Sequence, residues 1–441
     1  MLLLAFAFAV MGDPVSSVAY AIEAALRALD GDLVYLVPTM AVVLGIIALV
    51  SLNYHQLNGR FPEGGGDAAA SGRAFGEAVA FLPLGALIVD YALTIAISVA
   101  AGASAIIAYL PGLAAARIPL SLGLVAFVAA LTWFGHGGRA IFAAMTIAFV
   151  AIGTALLVKG FVAPSAHGQA PLHPHHDRFP ALAILLAFPV AMALATGVEA
   201  PSSAIAQLGQ LDDAGRRRFG RVTLWLMLAI VVWLTTGLTV LAVRLHVGIP
   251  PAHSTQVAQV AKAAAGSGPL FAAFQLATTL LLLAAASSSY QAGPGLLKAL
   301  SRGGPGVGIL PAPLGRTNRH HTPYWGVVVF FAIAAALVVA AGGKEQRLVL
   351  FYAVAVFLAF LSGLLAMVKF FRAERRRILI ATSGLGAAAV ALTLAINLAR
   401  GFPVASLLAG GAIAGSLYSL WVRAGRPRGV TEAEQLAEAE L

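Results

Sequence analysis

Two stretches decide how this chain folds: Gly12-Asp13-Pro14-Val15-Ser16-Ser17, and Gly197-Val198-Glu199-Ala200-Pro201-Ser202-Ser203. In each, a carboxylate is followed at +3 and +4 by two serines, with a glycine just ahead and a proline close by. Glycine and proline are the two residues that most readily interrupt a helix. Both stretches lie inside long apolar runs, where an ionised aspartate at a helix centre costs about 2.5–3.5 kcal/mol on insertion scales. An interrupted helix carrying an acid in hydrocarbon is the layout of a binding site at the bilayer midplane.

The surrounding composition supports that setting. Of 441 residues, 60% are hydrophobic and only 10% charged, which excludes an ordinary soluble domain. The apolar runs are continuous rather than alternating, so spanning helices are expected and a transmembrane β-barrel is not. Twelve runs are long enough: 2–28, 34–55, 79–108, 118–135, 140–163, 181–209, 221–245, 268–299, 324–342, 348–371, 378–398 and 402–422. The first lacks a basic region ahead of it and is broken by Gly12-Asp13-Pro14, so it reads as a mature helix and not as a signal peptide. Zero cysteines exclude disulfides, thiolate metal sites and cysteine nucleophiles.

Charge placement sets the expected orientation. Of the 28 Lys and Arg residues, 19 fall on the side of the termini, among them Arg216, Arg217, Arg218 and Arg221, and Arg372, Arg375, Arg376 and Arg377. Basic loops are retained in the cytoplasm, so a multi-pass protein of the cell membrane with both termini cytoplasmic is expected. Topology accounts for the net charge of +10 without a nucleic-acid partner. The two acidic interruptions lie five crossings apart, which relates them as inverted repeats. The expected organisation is one transmembrane domain over 1–422, with repeats at about 1–163 and 181–371, two extra helices over 378–422, and a short cytosolic tail over 423–441.

Most acidic residues fall in loops or in the tail; Asp13, Asp90 and Glu199 stand out as lying deep in apolar runs. Arg27, Arg117 and Arg244 lie near run ends, where they are expected to snorkel outward. Helical spacing surrounds the acids with hydroxyls. Ser16, Ser17 and Tyr20 follow Asp13; Tyr91, Thr94 and Ser98 follow Asp90; Thr196 precedes Glu199. An oxygen-only environment of this kind suits an alkali cation or a proton. Two other motifs receive no site: His167, His173, His175, His176 and Asp177 read as a solvated loop, and Gly64-Gly65-Gly66-Asp67 lacks the Gly-Lys-Ser/Thr of a phosphate loop. No catalytic constellation points to an enzyme, and no cofactor is expected.

Several motifs together resemble the amino acid-polyamine-organocation superfamily, above all its KUP-type potassium-proton symporters. They are Asp13-x-x-Ser16-Ser17-Val18-Ala19-Tyr20, Pro62-x-Gly64-Gly65-Gly66, Asp90-Tyr91-x-Leu93-Thr94-x-Ala96-x-Ser98, Thr196-Gly197-x-Glu199-Ala200 and Tyr352-Ala353-Val354-x-Val356-Phe357. The resemblance implies an all-α membrane protein of LeuT-like, inverted five-plus-five fold, with broken helices 1 and 6 and two additional C-terminal helices. It also implies potassium import coupled to protons. It assigns Asp13, Tyr20, Tyr91, Thr94, Ser98, Thr196 and Tyr352 to the K+ site, and makes Glu199 and Asp90 candidates for proton coupling. The pattern departs from the family at Asp13-Pro14, where Asp-Ala is usual, and at Ser287-Ser288-Ser289-Tyr290, where Asn-Thr is usual. The alternative substrates are an amino acid or a polyamine; a cation channel or a non-transporting sensor ranks behind both. Acids at both interruptions would repel an α-carboxylate and attract a cation, which places potassium first.

Overall fold

The structure is a computed structural model that describes residues 2–135, 138–174, 179–302, 307–400 and 404–439; for residues 2, 139 and 352–355 it describes the backbone alone. The first run forms three short helices, α1 (Leu2–Val10), α2 (Gly12–Ser16) and α3 (Val18–Ala28). There follow α4 (Leu36–Arg60), α5 (Gly66–Phe75), α6 (Glu77–Tyr109), α7 (Arg117–Trp133), α8 (Arg139–Val162) and α9 (Pro180–Ala191). The one-turn α10 (Ala200–Ser203) precedes α11 (Asp213–Arg244), α12 (Gln256–Ala265), α13 (Pro269–Leu300), α14 (Tyr324–Ala340) and α15 (Glu345–Ala373). The chain continues through α16 (Arg377–Ala399) and α17 (Val404–Arg423) to α18 (Ala433–Ala439).

Among the described residues, ten helical segments are long and apolar enough to cross a membrane: Leu33–Arg60, Glu77–Tyr109, Pro111–Trp133, Ala140–Val162, Pro180–Gln207, Asp213–Arg244, Pro269–Leu300, Glu345–Ala373, Arg377–Ala399 and Val404–Arg423. The protein is therefore an all-α, multi-span membrane protein. The other two runs read from the sequence are the jointed α1–α3 segment and α14, which is 17 residues long.

Burial ranks these helices by position. In α6, 89% of the apolar window is buried, against 22% in α7 and 28% in each of α16 and α17. Helix α6 is the central post and the other three face lipid. Its 33 residues extend about 50 Å at 1.5 Å per residue, longer than the hydrocarbon is thick. It packs on α13, α15 and α17.

The interruptions differ from each other. Around Asp13 the helical ladder nearly continues: Met11 N–H donates to Ala7 O at 3.0 Å, Val15 to Met11 at 3.1 Å and Ala21 to Ser17 at 3.0 Å. Met11 and Ser17 are joints between helical turns, so the unwinding expected there is slight. In the sixth run a tighter helical turn, Met192–Ala195, ends at Thr196 in extended geometry (φ −53°, ψ 131°). Gly197 then takes a left-handed backbone at φ +74°, and helix resumes at Ala200.

The contact of α6 with α17 admits no side chain at Gly85. A Cβ there would stand 2.7 Å from Gly410 O and 2.8 Å from Ala414 N, both backbone atoms that cannot swing aside. Gly85→Ala should destabilise the protein by about 1–3 kcal/mol, the usual penalty of overpacking. Gly411→Ala, with nothing within 4 Å of the added carbon, should be neutral or slightly stabilising. Thermal unfolding in detergent of the two variants, side by side, checks the pair.

Candidate functional site

The two interruptions meet. A Cβ added to Gly197 would lie 2.9 Å from Asp13 Oδ2 and 2.9 Å from Pro14 Cδ, so the carboxylate of the first run rests against the turn of the sixth. Gly197 serves both needs, a left-handed backbone and a surface bare enough to admit Asp13. Beside it the Tyr20 hydroxyl donates to Ser17 Oγ at 3.1 Å and lies 3.5 Å from Thr196 Oγ1, and Thr196 donates to Ala193 O at 2.5 Å.

Below this contact, toward the side of the termini, lies a cavity of about 90 Å³. Asp13, Tyr91, Glu199, Ser203 and Gln207 line it, with Phe6 and Phe142 as apolar walls. Glu199 also borders a second cavity of about 10 Å³, room for one water-sized occupant, shared with Asp67, Asp90 and Glu434. Glu199 lies within electrostatic reach of Asp90, Asp13 and Asp67, and Asp13 within reach of Asp90. No basic residue is among the described residues lining either cavity.

Of the residues singled out in the sequence, Asp13, Tyr20, Tyr91, Asp90, Thr196 and Glu199 are thus gathered around one region. Thr94 and Ser98 are buried further along α6 and border neither cavity. The side chain of Tyr352 lies outside the described residues.

Sequence reasoning missed acids at both ends. Asp67 sits at the start of α5 with its Oδ2 accepting from Tyr54 at 2.7 Å, although the sequence reading gives its glycine-rich setting a part in the family resemblance and gives Asp67 itself no site. Glu434 and Glu438 were expected in a solvated tail but are buried: Glu434 accepts from Ser203 at 2.7 Å and Glu438 from Gln207 at 2.9 Å. Nothing in a polar tail signals such docking.

At the opposite end Glu23, the second acid inside the 2–28 run, pairs with Arg27 at 2.8 Å and accepts from Gln256 N–H at 2.9 Å. The spacing of four between Glu23 and Arg27 was the available signal. Glu345 accepts from Ser104 at 2.6 Å, and Arg117 lies 3.9 Å from it while donating to Ser104 at 2.5 Å. Arg27 and Arg117 are therefore engaged with buried carboxylates rather than merely snorkelling. Arg244 donates to Phe161 O at 3.0 Å. These pairs line a separate cavity of about 380 Å³, and Gln346 reaches from it to Tyr20 O at 3.2 Å.

Among the described residues no group of three His, Asp or Glu is placed to hold a metal ion. His173 of the loop read as solvated bonds Asp32 at 2.6 Å and meets the Tyr35 ring edge-on; His175, His176 and Asp177 lie outside the described residues.

A family model described as amino acid permease matches residues 3–417. The potassium transporter KimA of Bacillus subtilis (strain 168) is 30% identical over 302 residues, 66% of this chain and 49% of KimA. The match thus spans about half the length of that relative.

Gly197→Ala would force an L residue into the left-handed region and push its methyl into Asp13 and Pro14. A loss of about 2 kcal/mol or more is expected. It should appear as an unfolding temperature several degrees lower in detergent.

Proposed function

The chain belongs to the amino acid permease family, and from that premise we propose that this secondary transporter imports potassium ions together with protons. The proposal includes cytoplasmic termini, the orientation favoured by the basic loops. It also includes the inverted arrangement of the segments before and after residue 170, with α16 and α17 added outside it.

One observation carries the choice of cargo: Asp13 and Glu199 face one cavity whose described lining holds no basic side chain. Carboxylates in a medium of low polarity attract a small cation and repel an α-carboxylate. The similarity to a protein named as a potassium transporter points the same way. Asp13, with the hydroxyls of Tyr20 and Thr196 close by, holds the cation. Glu199, bordering both cavities, carries the proton and hands it toward Asp90 at the smaller one. Loading of both ions favours closure on one side, and rocking of the jointed segments against the α6 post opens the other. Thr94, Ser98, Tyr91, Tyr352 and Asp90 complete the proposed set. A second cargo, an amino acid or a polyamine, is favoured by the family description, and the polyamine also by the same acids.

In proteoliposomes with an imposed proton gradient, Glu199→Gln should abolish gradient-driven accumulation of K+ while leaving K+ exchange measurable. Wild-type accumulation by that variant would remove Glu199 from its role. Asp13→Asn should raise the K+ concentration for half-maximal uptake by about tenfold or more, the factor for about 1.4 kcal/mol of lost attraction. Growth rescue of a potassium-uptake-deficient bacterium, run beside radiolabelled amino acid and polyamine uptake, decides between the cargoes.

A further inference from the structure

The segment after α17 is not used by the proposed transport cycle, and it lies beyond the residues matched by the family model. It is nevertheless seated in the protein. Val430, Ala433 and Ala437 are buried on one side of the segment, and Glu434 and Glu438 are buried with them. Helix α18 packs on α13, α10, α5 and the turn Ala204–Gln207 that follows α10.

The seat is shaped by glycines. A Cβ on Gly72 would come within 2.2 Å of Thr431 Cγ2, and one on Gly66 within 2.5 Å of Glu434 Oε1. Glu438 borders the larger cavity beside Asp13 and Glu199, and Glu434 borders the smaller one beside Asp67, Asp90 and Glu199. The tail therefore forms part of the wall of both cavities at their termini-side end.

We propose that the segment 429–439 is an acid-held stopper of these cavities, docked when Glu434 is neutral and released when it ionises. Asp67 Oδ1 and Glu434 Oε2 are both buried, border the same small cavity and have no hydrogen-bond partner among the described residues. Two like charges in so small a space exclude each other, so docking of the tail takes up a proton.

The charged groups on the elements around the tail are few. They are Asp67 and Arg73 on α5, Glu77 on α6, whose Oε1 accepts from Gly429 N–H at 3.3 Å, Lys298 on α13, Glu432 and Glu438 on the segment itself, and Asp90 and Glu199 across the small cavity. Arg73 is engaged by Glu63 at 2.7 Å. Burial pushes the Glu434 carboxyl from its ordinary value up to about 7, against the lowering effect of Ser203 and the Ala68 N–H, with Glu438 adding to the rise. Burial likewise pushes Asp67 up to about 8.

The sign follows. A carboxyl whose value is raised on docking stabilises the docked state fully below about 4.5 and loses that contribution as pH climbs to about 7. Acid on the termini side thus closes the stopper. For an importer of protons, in the orientation proposed above, inward flux then limits itself.

The absence of cysteine makes the test direct. Ala437→Cys places a single thiol on the buried face of the tail, Ala200→Cys one in the larger cavity, and Arg428→Cys an exposed reference. Labelling by an impermeant maleimide from the termini side, divided by the reference rate at each pH, should speed up on the order of 20-fold for Ala437→Cys from pH 5.5 to 7.5. Glu434→Gln should keep labelling slow at both values, and Gly72→Val should make it fast at both. Deleting residues 429–441 should make Ala200→Cys fast and independent of pH. A pH-independent ratio in the otherwise native chain, retained pH dependence in Glu434→Gln, or unchanged Ala200→Cys labelling after the deletion would each overturn the proposal. None of these readouts depends on the identity of the cargo, so failure of the potassium proposal leaves them standing.

Discussion

Carboxylates cannot be scattered singly through hydrocarbon, and the architecture follows from where this chain collects them. Asp13 is carried by a jointed helix, Glu199 by a helix break, and Asp90 by the central post; Asp67 and Glu434 arrive from outside the spans. Each of these elements is positioned by a local backbone device. Gly197 at φ +74° lets Asp13 close on the sixth run, and Gly66 at φ +48° leaves room for Glu434. Without the acids those glycines would only weaken helices.

The two ends of the molecule treat buried acids differently. On one end Glu23 and Glu345 are matched with Arg27 and Arg117, and a hydroxyl and backbone N–H satisfy further lone pairs. Such groups are compensated within the protein and hold neighbouring segments together. On the other end the acids bordering the cavities face hydroxyls, amides and one another. In the proposed function, compensation there comes from the transported cation and the proton, so the asymmetry sets a structural latch at one end against the proposed ion site at the other.

The membrane class and most of the spans were legible because continuous apolar runs leave little choice of structure. Asp13, Asp90 and Glu199 were legible for the same reason, as charges where none is cheap. The depth of each interruption was not. Asp13-Pro14 and Glu199-Ala200-Pro201 look alike on paper, yet only the second breaks the helix fully, because a left-handed Gly197 stands two residues ahead of the acid after an extended Thr196. Asp67, Glu434 and Glu438 escaped because loops and tails carry charge as a rule, and burial there is decided by tertiary contacts such as Thr431 against Gly72. Glu23 escaped because Arg27, one turn on, makes the pair look like ordinary helix decoration.

The close approach at Gly85 bears on how the molecule can move. Helices separated by a layer of side chains slide by switching rotamers, but α6 and α17 touch backbone to backbone at this point and have no such layer. The pair behaves as a stiff beam, with Asp90 fixed to it little more than one turn from the weld. In the proposed transport cycle, displacement is then concentrated in the lighter pieces, whose hinges are Met11, Ser17 and the Thr196-Gly197 break. The beam supplies the fulcrum and the jointed helices the lever arm.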